Sequence, residues 1–248
     1  MRILITNDDG IHAPALEALH REFAPLGEVV VVVPDRDQSA TSHSLTLHRP
    51  LRIREVRPGW FSVDGTPTDC VLIAYHGLLE HPPEMVVSGI NHGPNMGEDV
   101  FYSGTVSAAI EGAMQGSLAI AASLVTREPS DFVAPARFVR RVTQEAIARG
   151  FGGKRVLNVN IPFRPWDEVK GVKLTRLGTR VYSDTLIRKE DPRGRPYYWI
   201  GGLDPVWQPV EGTDFHAVHE GYVSVTPLAM DLTDVAALAG MDSWQLTP

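Results

Sequence analysis

The chain has 248 residues, 43% of them hydrophobic and 21% charged, with a formal net charge of -7. That composition is ordinary for a soluble globular protein, excludes a disordered chain, and leaves no basic field to attract a nucleic-acid polymer. One cysteine excludes an intramolecular disulfide framework, and the start MRILITNDDG has no apolar run long enough for a signal peptide or membrane span, so the expected compartment is the cytoplasm.

Residues 2 to 6 (RILIT) and 29 to 33 (VVVVV) are continuous, β-branched runs, as strands buried on both faces should be. Between them Pro14 suits a first helical turn and Leu16, Leu19 and Phe23 recur on one face, which predicts a strand-helix-strand unit. Residues 51 to 64 alternate apolar and polar around Pro58-Gly59 and read as a hairpin hanging off the main sheet. GTPTD then offers Thr66 as N-cap, Pro67 at the first helical position and Asp69 near the positive helix end, opening a helix toward Leu79. Within it Cys70 reads as a buried small hydrophobe, since no adjacent base is evident.

MVVSGI (85 to 90) is another buried strand. After a Gly-rich loop Val106, Ile110, Ala113 and Met114 mark a helix, LAIAAS a strand, and Phe138, Val139, Val142 and Ile147 a further helix whose Arg137, Arg140, Arg141 and Arg149 form a wet face. RVLNVNIP (155 to 162) closes the series. Such alternation predicts a Rossmann-like α/β fold, a mostly parallel sheet with helices on both faces. Beyond Pro162 the pattern turns to strand-like pieces with turn signals. Residues 170 to 226 read as β-rich arms or hairpins, followed by a short amphipathic helix near 231 to 240. The chain thus divides into a catalytic core, 1–165, and a β-rich C-terminal extension, 166–248.

Ligands gather at the carboxyl ends of parallel strands. Asp8 and Asp9 follow the first strand; Asp35, Asp37, Ser39, Ser42 and His43 follow the second; Asn91, Asn95 and Ser103 follow MVVSGI. Adjacent carboxylates with neutral oxygen donors, and no cysteine or paired histidine at ligand spacing, suit a hard ion such as Mg²⁺ or Mn²⁺ rather than Zn²⁺. The same Asp-Asp-Gly is also an ordinary turn sequence. At Ser103, Gly104 and Thr105 a helix start presents free N–H groups and the positive dipole end to an anion, although a hydroxyl there also serves as a plain cap. No G-x-G-x-x-G follows the first strand and no P-loop occurs anywhere, which argues against dinucleotide or P-loop binding. His43 and His92 are candidate donors to a phosphate or leaving group, whereas Glu98 and Asp99 read as solvated loop residues.

RILITNDDGIHAPAL, VVVPDRDQSATSHSLTL, GTPTDCV, VVSGINHGPNMGEDVFYSGTVSAAIEG, LNVNIP and GTDFHAVHEGYVSVTPL stand in one order along the whole chain. In these blocks it resembles the stationary-phase survival protein SurE family, divalent-metal-dependent nucleotidases acting on nucleoside monophosphates. The resemblance implies one divalent ion, Mg²⁺ or Mn²⁺, per subunit, held by Asp8, Asp9, Ser39 and Asn91. It implies phosphate contacts from Asn95, Ser103, Gly104 and Thr105, with Ser39 alongside, and catalytic roles for Asp8 and Asp9. It also implies a C-terminal β extension exchanged between subunits of a homodimer or homotetramer, with no nucleic-acid polymer or membrane as partner. The expected activity is phosphate-monoester hydrolysis, a 5′- and/or 3′-nucleotidase with short polyphosphate as a further substrate. The alternative is a metal-dependent nucleotide-binding sensor without turnover.

Overall fold

The computed structural model describes residues 1–126, 128, 130–181, 186–200, 206–208 and 210–244. In chain order the elements are β1 (Arg2–Thr6), α1 (Ala15–Phe23), β2 (Glu28–Pro34), β3 (Ile53–Arg57), β4 (Trp60–Val63) and α2 (Pro67–Ile73). Next come β5 (Met85–His92), α3 (Gly104–Met114), β6 (Leu118–Val125), α4 (Val133–Ala148) and β7 (Arg155–Pro162). The chain continues through β8 (Val172–Leu174), β9 (Arg180–Val181), β10 (Leu186–Glu190), β11 (Pro196–Ile200), β12 (Val206–Trp207), α5 (Asp214–His219), β13 (Val223–Ala229) and α6 (Val235–Gly240).

Nine strands form the central sheet in the order β3-β4-β2-β1-β5-β6-β7-β13-β8. From β4 to β7 every pairing is parallel, and β13 runs antiparallel to β7. Strand β1 lies between β2 and β5, so the order of winding reverses there. A reversal opens a crevice at the carboxyl ends of the two flanking strands.

Period-2 alternation explains how both faces are covered. Ile3, Ile5, Val31 and Val33 pack with Leu16, Leu19 and Phe23 of α1 and Phe138 and Val139 of α4. Leu4, Val30, Val32 and Val86 point the other way, to Cys70 and Val71 of α2 and Ala108 of α3. Full burial of each large aliphatic side chain contributes about 1.5–3 kcal/mol. Ile3, Leu4, Ile5, Leu16 and Leu19 are completely buried. Cys70 is likewise buried, as a small hydrophobe should be.

The start of α2 follows the expected chemistry closely. Thr66 accepts from the Asp69 amide and Asp69 accepts from the Thr66 amide, a capping box with Pro67 in the first turn. The helix is shorter than expected, since residues 74–78 continue as a π-helical turn.

Three sequence readings change. The hairpin β3–β4 does not hang off the sheet: β4 pairs in parallel with β2 and makes the hairpin its edge, with Trp60 and Val63 buried. The α4 arginines are not all a wet face: Arg140 is partly covered and reaches Glu22 of α1 at 3.1 Å, while Arg137, 3.6 Å from the same acid, stays exposed. Glu98 and Asp99 are anchors rather than solvated residues: Glu98 accepts from the Arg180 amide at 2.7 Å and Asp99 pairs with its guanidinium.

Within the C-terminal stretch β10 and β11 form an antiparallel hairpin, while residues 182–185 and 201–205 lie outside the described set. α6 occupies the position expected for a short final helix.

Candidate active site

Asp8 lies at the mouth of the crevice, one residue beyond Asn7, whose side chain braces the turn by accepting from the Gly10 amide (3.1 Å) and donating to the Gly10 carbonyl (3.0 Å). The carboxylate meets the first turn of α3. Thr105 donates to it through both its amide, at 3.0 Å, and its hydroxyl. Gly104 is required by this approach: a Cβ there would stand 2.8 Å from Asp8 Cβ. Of the first-turn amides of α3, Thr105 serves Asp8 and Val106 serves the Ser103 hydroxyl at 3.0 Å, while Gly104 keeps its N–H free among the described residues.

Burial pushes the Asp8 carboxyl above the ordinary carboxylate range, against hydrogen bonds from Thr105 that pull it down. Burial, and then the charge of Asp8, push Asp9 up to about 6. Asp37 adds repulsion at both. No arginine or lysine among the described residues forms an ion pair with either acid. The backbone amide of His92 stabilises the charged form of Asp9, which places that carboxylate beside the end of β5.

Asn91 occupies that end. The register of β5 against β6 shifts between Ser88 and Asn91, a bulge that re-aims the strand where it leaves the sheet. The Asn91 amide nitrogen donates to the Gly93 carbonyl at 2.9 Å, leaving its oxygen free. Ser39 arrives on the loop after β2, which is tied down by the Gln38 amide donating to the Asp8 carbonyl at 2.8 Å. The Ser39 hydroxyl donates to Asp37 at 2.6 Å and so keeps its lone pairs for another partner. The side chains of Asp9, Ser39 and Asn91 make no hydrogen bonds to one another among the described residues.

Asn95 is fixed from four directions. Its amide donates to Asn160 Oδ1 (2.9 Å), its carbonyl accepts from Asn158 (2.8 Å) and Asn160 (3.0 Å), and its side chain donates to Ser123 (2.8 Å). Asn158, Asn160, Ser123 and Asn7 were not singled out from the sequence. The available signal was the NVN spacing in β7, which puts two polar side chains on one face of a buried strand.

Asp214 was also missed. It is buried and accepts from the amides of Gly97 and Gly178, each at 2.8 Å, holding the loop before α3 against the C-terminal region. Its signal was the TD pair that opens α5, where Thr213 caps the helix and Asp214 is free to bond elsewhere.

His43 stands apart from the Asp8 turn. Its Nε2 contacts Glu111 at 2.9 Å, two helical turns along α3 from Gly104, and this bond draws the Glu111 carboxyl below its ordinary range. His92 Nε2 is occupied by the Glu128 carbonyl at 2.6 Å.

No group of three or more His, Cys, Asp or Glu side chains among the described residues is arranged to hold a metal. A cation here would have to draw on neutral oxygens as well as the two carboxylates. Two repelling, desolvated acids with no arginine or lysine ion pair among the described residues, and free amide and hydroxyl oxygens on the neighbouring strand ends, are chemically suited to a hard ion. They are also adjacent to a helix start with an unsatisfied N–H, which suits a phosphate.

The family model of Survival protein SurE matches residues 3–184. The chain is 51% identical to the 5'-nucleotidase SurE of Geobacter sulfurreducens, across 100% of this chain and 95% of that protein. It is 49% identical to the 5'-nucleotidase SurE of Pelobacter propionicus, across 98% and 99%. Its fold is similar to the crystal structure of the SurE protein from Aquifex aeolicus, with a TM-score of 0.86, 42% identity and coverage of 97% and 98% of the two chains.

Proposed function

This chain belongs to the survival protein SurE family, and from that premise we propose that it is a divalent-metal-dependent phosphatase that hydrolyses nucleoside monophosphates. The observation that carries the reading is the pairing of Asp8 and Asp9, with no arginine or lysine ion pair among the described residues, against the free amide at the start of α3. Asp8, Asp9, Ser39 and Asn91 would hold one Mg²⁺ or Mn²⁺, which when bound supplies charge neutralisation for phosphate oxygens and a more acidic water.

The remaining work falls to the chain itself. Gly104 N–H and the positive end of α3 receive a phosphate oxygen, and Ser103 and Asn95 line the same approach. Thr105 holds Asp8 by two hydrogen bonds and so fixes one side of the site. Asp9, its carboxylate beside the His92 amide, takes the proton of the attacking water. The water oxygen bonds to phosphorus, the ester P–O bond breaks, and the leaving nucleoside oxygen takes a proton from solvent.

We also propose that the C-terminal extension, residues 166–248, engages a second subunit through its β10–β11 hairpin, its β8 and β13 being strands of the central sheet, in a cytoplasmic homodimer or homotetramer. Support comes from Tyr198, Trp199 and Ile200 of β11, which stand in solvent. No helix among the described residues is long and apolar enough to cross a membrane.

The test is phosphate release from nucleoside 5′- and 3′-monophosphates with Mg²⁺ or Mn²⁺. Release that stops when the ion is chelated and is lost in Asp8→Asn supports the phosphatase. Tight nucleotide binding without release would replace it with a sensor.

A further inference from the structure

A second polar cavity, of about 630 Å³, lies beside the site just described, bounded by the loop after Gly10, the end of β2 and the edge hairpin. Ile11 and His12 form one wall, directly behind the Asp8–Asp9 turn; Asp35, Asp64, Arg52 and Arg54 form the others. The hairpin is basic within an acidic protein: residues 48–64 carry Arg49, Arg52, Arg54 and Arg57 against Glu55 and Asp64, while the whole chain stands at -7.

Two acids and two arginines line the cavity, but the acids have other arginine partners. Asp64 is already engaged, accepting from the Arg52 amide at 2.7 Å and pairing with Arg49 at 3.1 Å. Asp35 has Arg36 at 3.8 Å. Arg57 is committed to Glu17 and lies over the Trp60 ring at 3.6 Å. Arg52 and Arg54 make no ion pair among the described residues, and Arg52 acts on Asp64 only from a distance. Charges that merely guard an edge strand would stand on its open side. These two stand two residues apart at the start of the hairpin and line the same concavity as Ile11 and His12, which follow the catalytic turn.

We propose that this cavity is a second phosphate-binding site, in which the guanidinium groups of Arg52 and Arg54 grip a phosphate dianion. Two planar forks with free donors match the oxygens of a phosphate dianion, and their two positive charges balance it. The dianion has two possible sources, free inorganic phosphate or the non-scissile phosphoryl group of a substrate bearing two. The second source rests on the nucleotidase reading above; the first does not.

The experiment uses the full chain and the double variant Arg52→Gln/Arg54→Gln, with Arg52→Lys/Arg54→Lys as a charge-retaining control. Inorganic phosphate binding is measured by calorimetry in the absence of divalent ions, where turnover plays no part. Steady-state kinetics compare a nucleoside 5′-monophosphate with its 3′,5′-bisphosphate. Loss of at least about tenfold in phosphate affinity in the glutamine variant, with partial retention in the lysine control, is expected. If KM for the bisphosphate also rises about tenfold while the monophosphate is unaffected, the anion belongs to the substrate; if only inorganic phosphate binding weakens, it is free phosphate. Unchanged phosphate affinity together with unchanged kinetics for both substrates would overturn the proposal. Should neither substrate turn over at all, the nucleotidase reading fails and the calorimetric result still decides this one.

Discussion

The carboxyl-end crevice and the β10–β11 hairpin break opposite rules of protein construction. At the crevice, acids are desolvated against each other with no arginine or lysine ion pair among the described residues. On the hairpin, Tyr198, Trp199 and Ile200 are 54%, 62% and 89% exposed, apolar surface given to water. Elsewhere local chemistry agrees with the fold, as in the capped α2 or the fully buried valines of β2. On the functions proposed above, a positive ion answers the first violation and an apolar surface of a second subunit the second. The two regions also differ in how they are held. The crevice is cross-braced by Asn7, Thr105, Asn158 and Asn160, whereas the described residues of the hairpin pair chiefly with each other.

The largest effect should come from Asp8→Asn. It keeps the shape but removes one charge, so kcat is expected to fall by about 10²–10³-fold or more, while the melting temperature holds or rises because the repulsion with Asp9 is relieved. An unaltered rate would separate the buried acids from catalysis and leave only a structural turn. Gly104→Ala comes next: its methyl must displace Asp8, and misplacement on the order of 1 Å can cost about 10²-fold. Melting curves matching the parent, with rate lost, would identify displacement of the site rather than of the fold.

How much of this difference was legible beforehand depends on range. The β1, β2, β5, β6 and β7 runs, the Thr66–Asp69 cap and the turn at Pro58-Gly59 are written in adjacent residues, and local sterics and hydrogen bonding produce them. The parallel pairing of β4 with β2 is not, since register across a long connection leaves no local mark. The same holds for the bracing of Asn95 by residues more than 60 positions away and for Arg180 docking on Glu98 and Asp99. At the site, Asp8, Asp9, Ser39, Asn91, Asn95 and Ser103–Thr105 were readable as polar groups following strands. Their supports were not, because Asn158 and Asp214 reveal a purpose only once the chain has folded.

Asn160→Ala sharpens the contrast in bracing. It strands the buried Asn95 amide, so the protein should lose about 1–3 kcal/mol of stability. A kcat decline on the order of tenfold, with KM little changed, would accompany it if Asn95 works in the transition state. The smallest catalytic effect belongs to the hairpin. Trp199→Ser with Ile200→Ser should leave the per-subunit rate within about twofold, yet lower the assembly mass measured by light scattering. A mass that does not change would mean that β11 is exposed for some other reason.

The account rests most heavily on one cation shared by Asp8, Asp9, Ser39 and Asn91. Crystals soaked in Mn²⁺ and measured at an anomalous wavelength test this directly. The prediction is a single strong peak per subunit within bonding distance of oxygens from those four residues, absent in Asp8→Asn. A peak elsewhere, or one that persists unchanged in that variant, would contradict it.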